Sequence, residues 1–388
     1  MEKLRIFYVF YHSYEYLPIH ACDVIEELVE QKHEVFLITS VNQRLLDECS
    51  WKDKVKIFNI PIINKRILNK VSYSLQLILL LPLLSIIKRP ALIYERTSIT
   101  TVITAILSQL FRIFLITEVN GISIEELKYS KQSLWRIRLA KLYETISYRN
   151  SKLVVAVTNT IKKYLIKTYQ IDKKKIKVLP NGTNVRRFYP VDTCEARNYF
   201  NLAKDKKYVG YLGTLSSWCG VDLIIDAAPL IIKKYPDIKI LIGGGEEPFF
   251  SLFQKEVKRK RLNEYFSFYG TIPWQDANLF IGTFDIAMVC LAGYPISGSP
   301  QKLYAYMACN KAVIGSDVGE IGIVLRRHKS GLVFDPGNAE SIAINTLELL
   351  NNQDMCEQMG RRGGNAVDKN YSWAVKVEDL LKDVEKRL

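Results

Sequence analysis

Short apolar runs alternate along this chain with longer stretches in which apolar residues recur at helical spacing, and the alternation restarts after residue 200. In the first half, residues 5–10, 35–39, 56–60, 92–94, 114–118 and 153–157 read as buried strands. Residues 19–31, 134–148 and 160–169 read as helices between them. In the second half the strand runs are 208–212, 239–243, 266–269, 286–290, 312–316 and 332–334. Near-continuous apolar strands joined through helices belong to parallel sheets covered on both faces. The pattern therefore predicts an α/β chain with two Rossmann-like, doubly wound domains and a linker over residues 180–200. With 388 residues, two domains also suit the size at which single cores stop growing. In open sheets of this kind ligands collect outside the carboxyl ends of the strands, so the loops after the strands are where chemistry is expected.

Charge is unevenly placed. The net charge is +14, and up to Pro180 there are 28 Lys and Arg against 16 Asp and Glu, so most of the excess lies in the first half. An anionic partner is expected there. The chain has none of the recognised nucleic-acid motifs. Lys65, Arg66 and Lys70 precede an apolar stretch at 73–87, and Lys88 and Arg89 follow it, a pattern that suits an anionic membrane surface as well as a solvated basic face. That stretch falls short of the ~20 residues that a spanning helix needs. The N-terminal run is short and lacks a small-residue cleavage site, so it reads as a first strand. Seven scattered cysteines without a C-x-x-C pair suggest free thiols in a reducing, cytoplasmic setting.

Three loops of the second half have phosphate-binding character. Gly213-Thr214-Leu215-Ser216 follows a strand and leads into a helix, where glycine, hydroxyls and free N–H groups can hold phosphate oxygens. Gly243-Gly244-Gly245 ends another strand, which implies a backbone that approaches a ligand, passes another loop closely, or simply turns. The third is Ser299-Pro300-Gln301-Lys302, with Ser299 as expected N-cap, Pro300 as first helical residue and Lys302 in the first turn. A cation at the positive end of a helix makes sense if an anion lies between them. Histidines 12 and 20 flank the loop after the first strand, where either lines a substrate cleft or packs structurally. No Asp-x-Asp pair, Walker motif or G-x-S-x-G elbow occurs.

Taken in order, these loops resemble the retaining glycosyltransferases of family 4, which have the GT-B fold. The resemblance covers nearly the whole chain. It includes Thr117-Glu118-Val119-Asn120-Gly121, Pro180-Asn181-Gly182-Thr183-Asn184, the loop from Tyr208 to Asp222, the segment from Ser299 to Met307, Gly331-Leu332-Val333-Phe334 and Tyr371-Ser372-Trp373. It implies two domains facing across a cleft: an acceptor domain over residues 1–185, a donor domain over 186–370, and a closing helix over 371–388 that crosses back to the first. It further implies transfer of a sugar, with retention and without a metal or other cofactor, from a nucleotide diphospho-sugar to a lipid-linked or polysaccharide acceptor of the cell envelope. On that carry-over Gly213, Thr214 and Lys302 meet the diphosphate, Gly244 lies against the nucleotide, Ser299 is a further donor-binding residue, and Lys302 and Asn120 are the catalytic candidates. Gly121, His12 and His20 fall on the acceptor side. The chain also departs from the family pattern. Cys219 stands where members carry Lys, Ser297 and Ala305 where they carry Glu, and Ile323 where they carry an acid. An inactive relative that scaffolds an active transferase is the alternative these losses keep open.

Overall fold

The computed structural model describes residues 3–11, 19–62, 68–98, 100–291 and 298–388. His12, Ser297, Lys65 and Arg66 lie outside the described residues. The chain divides into two compact units. The first contains Met1–Pro180, Ser297–Ser299 and Lys376–Leu388; the second contains Asn181–Ile296 and Pro300–Val375.

In the first unit the strands are β1 (Arg5–Phe10), β2 (Glu34–Thr39), β3 (Lys56–Asn59), β4 (Leu92–Arg96), β5 (Phe114–Val119), β6 (Leu153–Ala156) and β7 (Ile176–Val178). They pair in parallel in the order β3-β2-β1-β4-β5-β6-β7. The second unit holds β8 (Lys207–Leu212), β9 (Ile238–Gly243), β10 (Phe266–Phe268), β11 (Ile286–Val289), β12 (Ala312–Ser316) and β13 (Gly331–Phe334). Their order is β10-β9-β8-β11-β12-β13. Both sheets therefore wind outward from a first strand and then reverse, which sets one switch point between β1 and β4 and another between β8 and β11. This is the doubly wound architecture expected from the sequence.

Strand alternation feeds both faces. Tyr208 packs into a cluster with Phe280, Phe284 and Tyr304, whereas its neighbour Val209 packs into one with Ile224, Ile240 and Ile342. The linker is more structured than expected: Asp192 caps a short helix, Thr193–Tyr199, inside it.

The apolar stretch after β3 is longer than its sequence suggested. It forms one helix, Leu68–Lys88, 21 residues long, with Pro82 inside. By length and composition it could cross a membrane. One face, carrying Tyr73, Leu77, Leu81 and Leu84, is nonetheless buried in the first unit's core with Phe7, Phe36 and Ile93.

Candidate functional site

In the second unit the loops after β8 and β9, and Cys290 just after β11, gather around the helix Gln301–Ala308. That helix is docked by Tyr306. Its hydroxyl accepts from Leu212 N–H at 2.8 Å and donates to Leu212 C=O at 3.0 Å. β11 pairs with β8 only as far as Gly210, so Tyr306 takes the place of a strand along the last residue of β8. Lys302 stands one turn earlier on the same helix face. Its Nζ donates to the Tyr211 hydroxyl at 2.5 Å and lies 4.4 Å from the ring centroid. Tyr211 in turn donates to the Thr214 carbonyl at 2.8 Å, which leaves its oxygen free to accept from Lys302. Thr214 itself is exposed.

Lys302 forms no ion pair with any described residue. Burial pushes its pKa down to about 8, against the smaller opposing influence of Cys219, Cys290 and Glu246. The cation is thus present at neutral pH but poorly solvated, a state that an arriving anion relieves. Gly213 makes room for it. Its φ is +153°, and a Cβ there would lie 2.7 Å from Lys302 Cδ and 2.8 Å from Nζ. Gly244, at φ +144°, passes so close to the Gly213 carbonyl that a side chain would collide with it. The triple glycine therefore serves the close passage of two loops. Glu246 ties the same loops: its carboxylate accepts from Leu215 N–H at 2.9 Å and Gly245 N–H at 3.2 Å.

Ser299 is not the N-cap residue. Pro300 occupies the N-cap position, without a side-chain hydrogen bond, and helical dihedrals begin at Gln301. The ring of Pro300 has no group that could cap the first turn and no N–H to donate. Of the positions where the chain departs from its relatives' pattern, Cys219 is buried beside Lys302, Ala305 is buried on the helix, and Ile323 is exposed on Glu320–His328.

In the first unit two of the expected residues, His20 and Asn120, meet on Glu118 at the end of β5. His20 lies on the helix Ile19–Glu30 and is buried, and its Nε2 sits 2.7 Å from Glu118 Oε1. Asn120 donates to the same oxygen, and the Tyr94 hydroxyl donates to the other. Burial alone would raise the Glu118 pKa, but His20, Arg96 and Asn120 outweigh it and hold the carboxyl at about 2. The Asn120 amide oxygen is buried without a hydrogen-bond partner among the described residues. Gly121 abuts the Glu126 carboxylate, whose Oε1 lies 2.6 Å from where a Cβ would stand. His20 is thus a buried partner of Glu118.

Two family models match consecutive parts of the chain. The model described as glycosyltransferase family 4 matches residues 18–187, and that described as glycosyl transferases group 1 matches residues 192–366. The chain belongs to glycosyltransferase family 4. Among curated relatives of this family 4 chain, mannosylfructose-phosphate synthase of Agrobacterium fabrum is 23% identical over 253 residues, 63% of this chain and 55% of that protein. D-inositol 3-phosphate glycosyltransferase of Nocardia farcinica is 26% identical over 237 residues, 59% of this chain and 51% of that protein. The chain spans about half the length of the curated relatives it matches. Anabaena HepE, solved in complex with UDP, has the same fold, with a TM-score of 0.79 at 16% identity over 99% of this chain and 100% of that one.

Tyr211, Glu246 and Glu118 are the members of these clusters that sequence reasoning missed. A tyrosine in an apolar strand run reads as core, and the pairing of His20 with Glu118 spans 98 residues. The one usable signal was position: Glu118 and Glu246 both stand at or just past the carboxyl end of a strand.

Proposed function

We propose that the protein is a retaining glycosyltransferase that takes a sugar from a nucleotide diphospho-sugar held by the second unit and passes it to a lipid-linked or polysaccharide acceptor served by the first. The observation that carries this reading is Lys302. It is a half-buried cation without an ion pair among the described residues, braced by Tyr211 and set against the backbone of Gly213 at the switch point of the sheet. A diphosphate there would accept from the ammonium and from N–H groups of the Gly213 loop, at the positive end of the helix Gln301–Ala308. These donors are fixed before the bond breaks, so they favour the charge that grows on the leaving diphosphate. Lys302 supplies the positive charge that a metal would otherwise bring, and activity should survive chelators. Asn120 is assigned to the transferred sugar, with Glu118 and His20 fixing its amide. The UDP bound by HepE makes a UDP-sugar the first donor to try. The cytoplasmic face of the cell envelope is the proposed setting.

Calorimetry with UDP, GDP and ADP on native protein and Lys302→Ala tests this. Micromolar binding of one nucleotide, lost in the variant, supports a working donor site and identifies the donor class. Binding of none of them would favour the second reading, an inactive scaffold, which the replacement of a phosphate-facing Lys by Cys219 and of Glu by Ala305 recommends. Restoring Lys at 219 and Glu at 305 should then create affinity.

A further inference from the structure

The helices Leu68–Lys88, Thr101–Leu110 and Leu134–Asn150 lie side by side in the first unit, the middle one touching both others. Their inner faces are spent on the core, but their outer faces are not polar. Leu79 is 76% exposed, Leu110 72%, Leu134 72% and Trp135 62%. Leu75 and Leu83 on the first helix, and Leu139 and Leu142 on the third, are exposed with them. Large apolar side chains repeated over three adjacent helices are not a scattered surface background; they mark a face that something covers.

Charge says what covers it. The three helices carry a single carboxylate, Glu144, and it is buried. Their cations Lys70, Arg136, Arg138, Lys141 and Arg149 are exposed, and Arg89 and Arg112 follow directly after the first two helices. No acidic residue occurs anywhere from residue 54 to residue 94.

We propose that this three-helix face docks on an anionic phospholipid surface. Apolar side chains enter the boundary between headgroups and acyl chains, the indole of Trp135 suits that boundary, and Lys and Arg reach the phosphates. A second copy of this chain is a poorer occupant, because self-docking would set cations against cations. A nucleic acid would take the cations and leave the leucines in water. The inference rests on the proposed function only in assigning the acceptor to a membrane; the docking itself needs no transfer.

The test is co-sedimentation of the full chain with vesicles of phosphatidylcholine alone, or of phosphatidylcholine mixed with phosphatidylglycerol, with UDP calorimetry on the same preparations. The mixed vesicles should bind the protein, salt should weaken the binding, and pure phosphatidylcholine should bind far less. Reversing three charges together (Arg136→Glu, Arg138→Glu, Lys141→Glu) should lower vesicle partition roughly a hundredfold. Leu79→Glu with Leu110→Glu should also lower it, and UDP binding should persist in both variants. The conservative Trp135→Phe, which leaves packing and charge intact, should remove quenching of tryptophan fluorescence by brominated lipid. The proposal is overturned if native protein ignores mixed vesicles or if the variants bind them as native protein does. It is equally overturned if an oligonucleotide binds more tightly than the vesicles, or if native protein is a dimer that Leu79→Glu dissociates. Vesicle binding lost while UDP binding persists sinks this inference and spares the donor reading; UDP binding absent while vesicles are bound does the reverse.

Discussion

Lys302 is the residue on which the donor reading turns, and its burial makes a pH signature. Burial pushes its pKa down to about 8, below the ordinary 10.5, so the charge is largely present at pH 7 and is lost as pH rises through 8. A bound diphosphate favours the charged form. UDP affinity should therefore decline between about pH 7 and pH 9, while Lys302→Met should be weaker throughout and flat over that range. Calorimetry across a pH series checks both. Removing one charge-assisted contact of about 1.5–3 kcal/mol corresponds to roughly a tenfold to hundredfold loss for Lys302→Ala. Gly213→Ala should act through the same atoms, since its new methyl would meet the Lys302 stem at 2.7 Å and the backbone would be held at φ +153°. Its cost in affinity should fail to add to that of Lys302→Ala in the double variant. Full additivity would mean that Gly213 shapes the loop without touching the cation.

At the scale of elements, the strands were the legible part, because a strand buried on both faces must be apolar throughout. The one strand that was not foreseen shows the limit of that rule: β7, Ile176–Val178, is a half-exposed edge strand that follows three lysines. Patterning also could not say that Pro300 would stand at the N-cap, because sequence alone does not fix which residue first takes helical dihedrals. The loops assigned to the donor were visible from glycine and lysine; the devices that hold them were not, because Tyr306 and His20 act over long sequence separations. Both devices make predictions. Tyr306→Phe strips the hydroxyl from Leu212 N–H and C=O and should cost about 2 kcal/mol in a denaturant melt. His20→Ala leaves Glu118 buried beside fewer partners and should cost about 3–5 kcal/mol. The Glu118 carboxyl is held near 2, below its ordinary 4.5. The stability it lends is therefore present above about pH 4.5 and lost as pH falls towards 2, and His20→Ala should begin that loss at higher pH.

For the whole molecule, what matters is that each unit has a core of its own. The clusters around Phe7 and Val154 belong to the first, and those around Val209 and Tyr208 to the second. A ligand that binds only the folded second unit should then stabilise that unit alone. At a free UDP concentration a hundredfold above Kd the gain is about 2.7 kcal/mol. For units of this size, that corresponds to a shift in Tm of about 5–10 °C. A calorimetric scan should show two transitions, of which UDP raises one and His20→Ala lowers the other, while Tyr306→Phe lowers the one that UDP raises. This assigns each transition without separating the units. A single transition that answers to all three perturbations would show instead that the two sheets melt as one cooperative body, and that a nucleotide bound at Lys302 is felt energetically as far away as Glu118.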